Sequence, residues 1–202
     1  MPALLLALVV VCGFAVAGCG GAERKEEVAI EELIAAATKS RNPANCTEYL
    51  TQHYLEQVAK VRGAAAVSAC EEEAVDPQSE LPKEVTVSRV DVDGQSAIAT
   101  VSFKGSVYDG QTVRLALVKR DDGWKFYELL GFVELDAEKL VTGMGRELML
   151  EMESPQEVEA GACIVGLLEE MSPRALEELV LESTLEEILS LADQCTSGAD
   201  SV

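Results

Sequence analysis

The spacing of apolar side chains divides the chain into a helical part, a strand part and a second helical part. From residue 23 to residue 74, apolar residues recur at intervals of three and four, which is typical of helices. The pattern is broken at Pro43 and again near Gly63. We therefore expect three N-terminal helices, of which the second begins with Asn45 as its N-cap and continues to Gly63.

From Glu84 onward the apolar spacing changes to two, the period of half-buried strands. The alternation shifts phase near Ser88, which indicates a β-bulge. Asp93 and Gly94 form a typical two-residue hairpin turn, and the Asp-Asp-Gly sequence at 121–123 forms another. Four antiparallel strands joined as a meander are the expected result.

After residue 133 the helical spacing returns, with well-marked helix starts. Ser154, Ser172 and Ser183 each stand where a hydroxyl group can cap a helix, and Pro155 and Pro173 suit the first helical position. Four helices are expected, near residues 136–152, 155–171, 173–181 and 184–195. Their apolar side chains are expected to form a small core of their own: Ile164, Leu167, Leu168, Leu176, Leu179, Val180, Ile188, Leu189 and Leu191.

The first eighteen residues contain no charged side chain, and nearly all of them are apolar. This stretch has about the length of the hydrophobic region of a signal peptide and is short for a membrane span. It ends in the sequence VAGC at Cys19, which resembles the lipobox of bacterial lipoproteins. The resemblance implies that residues 1–18 are removed and that Cys19 is acylated, with palmitate among the acyl chains, so that the protein is tethered to a membrane.

Four cysteines follow Cys19: Cys46, Cys70, Cys163 and Cys195. An even number of cysteines in an exported chain indicates disulfide bonds. Three pairings are possible. The simplest is local, Cys46 with Cys70 and Cys163 with Cys195, because each pair flanks one helical segment. A zinc site is the alternative, but it needs closely spaced pairs such as C-x-x-C, and the chain has none.

These elements predict an α+β fold, with N-terminal helices packed on a curved four-stranded antiparallel sheet and a small all-α module after it. The expected divisions are a lipoprotein signal peptide at 1–18, an α+β domain with a short tether at 19–135, and an acidic helical module at 136–202 that is closed by a disulfide.

The charge of the chain restricts its partners. It has 36 acidic and 16 basic residues, a formal charge of −20 and a pI near 4.3, which argues against a nucleic-acid partner. The acidic excess is concentrated after residue 133, where 17 acidic residues face 3 basic ones. A single histidine argues against a histidine-based triad or a histidine-rich metal site. No metal and no cofactor are expected.

The order of elements, helices followed by two hairpins with the sequence DGWK at 122–125, resembles the nuclear-transport-factor-2-like fold. This cone-shaped superfamily includes ketosteroid isomerases and SnoaL-like proteins. Many lipoproteins of high-GC Gram-positive bacteria have such a domain with a cysteine pair in its N-terminal helices. The resemblance covers residues 24–133 and implies a sheet that curls around the helices, with a pocket at the wide end.

The candidate pocket residues are Tyr49, His53 and Tyr54 on the second helix. One interpretation is a polar cluster at the cone mouth in which His53 acts as a general base. The other is a surface histidine beside two packed aromatic rings. No residue set matches the catalytic carboxylates and tyrosines of the enzymatic family members, so no catalytic residue is assigned.

The expected function is that of a lipid-anchored module on the extracytoplasmic face of the cell membrane, which binds a small apolar ligand or another envelope protein. Two alternatives stay open. One is an isomerase- or dehydratase-like enzyme that uses the cone pocket, which requires convergent titratable groups in one apolar cavity. The other is a purely structural envelope protein.

Overall fold

The structure is a computed structural model that describes residues 20–150, residue 152 and residues 154–196. The predicted signal peptide and Cys19 lie outside the described residues. Across the described ranges, no helix has the length and apolar character needed to cross a membrane.

A four-stranded antiparallel sheet forms the centre of the molecule, with helices on both sides of it. The strands are neighbours in chain order. The pairing of the first two strands shifts register between Val87 and Arg89, so the predicted bulge is present. The strands are β1 (Glu84–Asp93), β2 (Ser96–Lys104), β3 (Thr112–Arg120) and β4 (Gly123–Glu134). The predicted α+β class is confirmed.

One face of the sheet packs against α1 (Gly20–Thr38) and forms the main core. Alternate residues of β2 and β3 are buried on this face, as the two-residue period predicts. Ile30 and Ile34 of α1 are fully buried against them. Trp124 is buried at the start of β4, and its indole N–H donates to the Glu26 carboxylate at 2.7 Å. The protein's own side chains therefore fill the core face of the sheet.

The second predicted helix is in fact two helices, α2 (Asn45–Glu48) and α3 (Gln52–Ala59). Between them the backbone leaves the helical conformation and pairs with the edge of β4. The Thr51 N–H donates to the Phe126 carbonyl, and the Phe126 N–H donates to the Tyr49 carbonyl. This long-range pairing covers strand edge that would otherwise be open, and it overrides the local helical pattern.

The predicted cap at Asn45 is wrong. Asn45 is the first residue of α2 and is buried, and its side-chain amide donates to the Ala36 carbonyl. The next helix, α3, is capped by Thr51, whose hydroxyl accepts from the Tyr54 N–H. The third predicted helix is present as α4 (Ala64–Val75).

Two further side chains cover the outer edge of β4. Gln57 of α3 both donates to the Leu129 carbonyl at 3.0 Å and accepts from the Leu129 N–H at 2.7 Å. The Phe132 N–H donates to the carboxylate of Glu177 in a C-terminal helix. These contacts join α3 and the C-terminal helices to the same strand edge.

Four helices follow the sheet, as the caps predict. Ser154 and Ser172 cap the second and third of them. The predicted cap of the fourth is displaced by one residue: Thr184, not Ser183, exchanges hydrogen bonds with Glu187. The helices are α5 (Ala137–Leu150), α6 (Pro155–Glu169), α7 (Pro173–Glu182) and α8 (Leu185–Thr196).

The predicted separate core of these helices is only partly correct. Its buried centre consists of Leu168, Leu176 and Val141, a residue of α5 that the prediction did not include. Val180 of α7, which was expected there, packs against the main core of the sheet instead. Leu189 of α8 is 53% exposed. The C-terminal helices are therefore packed onto the sheet through α7.

Both disulfides of the local pairing are present. Cys46 is bonded to Cys70 and joins α2 to α4, and Cys163 is bonded to Cys195 and joins α6 to α8. The Cα atoms of the two pairs are 6.0 Å and 5.7 Å apart. Because all four sulfurs are in disulfide bonds, none is left for the zinc alternative.

Candidate functional site

An apolar pocket with a volume of about 490 Å³ lies between the sheet and the C-terminal helices. This volume is within the range of small-molecule sites, roughly 300–1,000 Å³. The polar members of the lining are Gln57, Lys60, Tyr108 and Glu147. Aliphatic side chains and one methionine form the rest: Val58, Val107, Leu129, Leu140, Met144, Leu148, Ile164, Leu168, Leu179, Val180, Ile188, Leu189, Leu191 and Ala192.

The pocket has an exposed apolar rim. Val58 of α3 is 42% exposed and Leu189 of α8 is 53% exposed, although both line the pocket. Contiguous exposed apolar surface marks interaction sites, whereas singly exposed aliphatic side chains are common on protein surfaces. Val58 and Leu189 extend the apolar lining of the pocket to its solvent-exposed edge.

The position of α5, one wall of the pocket, depends on a glycine. A Cβ atom on Gly143 would lie 2.2 Å from the Val107 carbonyl oxygen, so α5 can contact the β2–β3 loop only with glycine at this position. Arg146, one turn further on, donates to the Ser106 carbonyl at 2.8 Å and pairs with Glu80 at 3.0 Å. These contacts hold α5 against the loop.

The start of α5 is held by Gln111, which, like Gln57, forms two hydrogen bonds to the backbone of a single residue. Gln111 is fully buried, donates to the Asp136 carbonyl at 2.8 Å and accepts from the Asp136 N–H at 3.1 Å. Both backbone groups of Asp136 are thus satisfied inside the protein, where an unpaired group would be costly. The residues that precede α5 are therefore fixed to the β2–β3 loop, directly before β3.

The predicted pocket residues do not meet in the apolar pocket. His53 is exposed, and its ring lies on that of Tyr127 with centroids 4.7 Å apart. Tyr54 packs edge-on against Phe126, with centroids 5.4 Å apart, and Tyr49 packs against the main core. For His53 the interpretation as a surface histidine fits this arrangement.

A polar hollow of about 340 Å³ adjoins His53, Glu56, Lys60 and Arg62. Glu56 accepts hydrogen bonds from the Gly63 backbone and from Gln52, and these, with the Gly63 bond as the larger cause, lower its pKa. A carboxylate held in its charged form in this way is a poor proton donor near neutral pH. The lowered pKa therefore argues against Glu56 as a general acid in this hollow.

Two partly buried tyrosines, Tyr54 and Tyr108, have pKa values raised above their ordinary range. Burial is the main cause for Tyr54, with the nearby Tyr108 second, and burial is the cause for Tyr108. Both phenols therefore stay neutral at physiological pH. Tyr108 contributes a neutral hydroxyl and an aromatic ring to the pocket lining.

Lys60, which directly follows the last residue of α3, brings a positive charge to the pocket. Its ammonium group donates to the Val180 carbonyl at 2.7 Å, and burial lowers its pKa. In the part of the chain that the structure describes, no group of three or more His, Cys, Asp or Glu side chains is arranged to hold a metal ion.

Sequence reasoning missed the pocket because seven separate segments contribute to it. The helices were recognised from their apolar faces, but those faces predict only that a helix is buried, and not what it is buried against.

No family model, no curated protein and no solved structure matches this chain.

Proposed function

We propose that the protein is a lipid-anchored module on the extracytoplasmic face of a membrane, and that it binds a small apolar ligand in the pocket between the sheet and the C-terminal helices. The observation that supports ligand binding is the aliphatic pocket with its exposed rim. The VAGC sequence ending at Cys19 and the two disulfides support the location.

The resemblance to nuclear-transport-factor-2-like proteins fits this proposal with one change. The family resemblance implies a pocket inside the cone, but here α1 and aromatic side chains fill the core face of the sheet. The cavity is instead at the junction with α5–α8. In our proposal, the C-terminal helices therefore supply most of the ligand site.

Binding explains the pocket better than acid–base catalysis does. Among its described lining residues there is no histidine, the Tyr108 phenol is neutral, and the Lys60 ammonium is bonded to backbone. His53, the base of the enzyme hypothesis, is outside it. The purely structural alternative, in turn, offers no reason for an apolar cavity of this size.

In the proposed anchored protein, the pocket faces away from the membrane. Helix α1 begins at Gly20, directly after the acylated cysteine, and Glu26 contacts Trp124 and Lys119 at the β3–β4 hairpin. Val107, in the pocket lining, belongs to the β2–β3 loop at the other end of the strands. The anchor and the pocket would thus be at opposite ends of the sheet.

Acylation can be tested with a Cys19→Ser variant expressed in a bacterial host that processes lipoproteins. We expect the wild-type chain in the membrane fraction and the variant in the soluble fraction, because the variant lacks the sulfur that carries the lipid. Cell fractionation with immunoblotting measures this. The Cys12→Ser variant is the matched control and should fractionate as wild type; membrane association of the Cys19 variant would contradict the proposal.

Ligand binding can be tested by filling the pocket. Ala192→Phe adds a ring inside the cavity, so we expect the uncharged fluorescent probe N-phenyl-1-naphthylamine to bind at least about tenfold more weakly than to wild type. Ala35→Phe, at an exposed position of α1, is the matched control and should bind as wild type. Equal affinity for all three proteins would contradict binding in this pocket.

A further inference from the structure

The lining of the pocket is mostly apolar but includes one positive charge. Fourteen of its lining residues are apolar, and Lys60 is the one cation in the lining that the described residues form. We infer, on the basis of the proposed function, that the ligand is a long-chain amphiphile with an anionic head. Its aliphatic chain occupies the pocket, and its head pairs with Lys60.

Lys60 is held in place by its backbone as well as its side chain. It ends α3 in the left-handed conformation, with φ of 57°, a region that favours glycine or asparagine at helix ends. Its ammonium group reaches α7 and donates to the Val180 carbonyl at 2.7 Å. The cation is therefore fixed where α3 meets α7, at the wall of the pocket.

Lys60 also borders the polar hollow, which Glu56 and Glu182 line, but no carboxylate of the described residues forms an ion pair with it. An ammonium group has three N–H donors, and the Val180 carbonyl accepts from one of them. Burial without a counter-ion lowers the pKa of Lys60. An anionic head that approached through the pocket would supply both the missing charge and further acceptors.

The second charged residue of the lining is Glu147 on α5, which has an interaction of its own within the protein and has the same sign of charge as an anionic head. We therefore assign the head to the Lys60 side. The walls include Ile164, Leu179 and Ile188, whose side chains offer only apolar contact. This arrangement fits an unbranched alkyl chain better than a polar ring.

The test compares four ligands that share a twelve-carbon chain: dodecanoate, dodecyl phosphate, dodecanol and dodecylammonium. Displacement of N-phenyl-1-naphthylamine from the purified full chain reports each affinity. We expect the two anions to bind about tenfold more tightly than dodecanol, as charge-assisted hydrogen bonds generally provide, and dodecylammonium to bind most weakly. The tighter anion identifies the head group as carboxylate or phosphate.

Three variants assign the preference to Lys60. Lys60→Met should make the anions bind no more tightly than dodecanol, whereas Lys60→Arg should keep the preference. Lys25→Met removes the same charge from an exposed site on α1 and should behave as wild type.

The outcomes separate this inference from the proposed function. Equal affinity of wild type for anions and dodecanol, or tighter binding of dodecylammonium, would overturn the anionic head while ligand binding in the pocket stands. A preference for anions that survives in Lys60→Met would overturn the role of Lys60. Failure of all four compounds to displace the probe would overturn both.

Discussion

At the scale of single residues, Glu26 shows how one carboxylate joins distant parts of the chain. It accepts from the Lys119 ammonium at 2.6 Å and from the Trp124 indole at 2.7 Å, and so attaches α1 to the β3–β4 hairpin. These bonds, with Lys119 as the largest cause, lower the pKa of Glu26 below its ordinary value of 4.5. Sequence reasoning placed Trp124 in a strand but gave no partner for its N–H.

This pKa shift predicts a pH dependence of stability. Because the folded pKa is lower than the unfolded one, Glu26 stabilises the protein above about pH 4.5, and the contribution is lost as the pH falls through the folded value. The melting temperatures of wild type and Glu26→Gln should therefore differ at pH 7, and the difference should shrink as the pH falls below 4.5. A difference that stays constant from pH 7 to pH 3 would contradict this assignment.

At the scale of elements, the helix glycines Gly143 and Gly166 show that close packing can require a residue that disfavours the helix. Gly143 of α5 is in contact with the Val107 carbonyl, whereas a Cβ atom added to Gly166 of α6 would point into open space. Both are in helices, where glycine costs roughly 0.5–1 kcal/mol relative to alanine. Only the surroundings decide which of the two is required.

Alanine at these positions should therefore have opposite effects. Gly143→Ala forces α5 away from the β2–β3 loop and should lower the free energy of unfolding by about 1–3 kcal/mol. Gly166→Ala should raise it by roughly 0.5–1 kcal/mol, since the new methyl group meets open space. Urea denaturation measures both; destabilisation by the second, or none by the first, would contradict the packing described.

The elements themselves follow from local rules, and the exceptions have long-range causes. Alternation, turn residues and caps such as Ser154 were enough to predict every strand and most helices. The break between α2 and α3 was not predictable locally, because it depends on pairing of residues 49–51 with Phe126, more than seventy residues away. Likewise, the α7 residue Val180 was assigned to the wrong core, since its apolar character does not specify its neighbour.

The candidate site was less predictable than the fold. Tyr49, His53 and Tyr54 were selected because they cluster on one segment, but a cluster in sequence faces several directions once a helix forms. Lys60 had no distinguishing signal in the sequence: its role depends on burial and on the carbonyl of Val180.

At the scale of the whole molecule, the acidic excess and the pocket belong to the same half of the chain. Residues after 133 have a net charge of −14, yet they also supply most of the aliphatic lining. In the proposed anchored orientation, this acidic half lies at the end away from the membrane, where it is not repelled by anionic lipids. The negative charges favour contact with water at the surface of this half, while the pocket between the sheet and the C-terminal helices is apolar.

The five isoleucines of the chain are well distributed for testing the central claim, that a ligand binds in the junction pocket. Ile164 and Ile188 line it, Ile30 and Ile34 are buried in the main core, and Ile98 is on the outer face of the sheet. In methyl NMR spectra of isoleucine-labelled protein titrated with dodecanoate, we predict that the signals of Ile164 and Ile188 shift and the other three stay. Shifts confined to Ile98, or no shift at saturating ligand, would contradict the account.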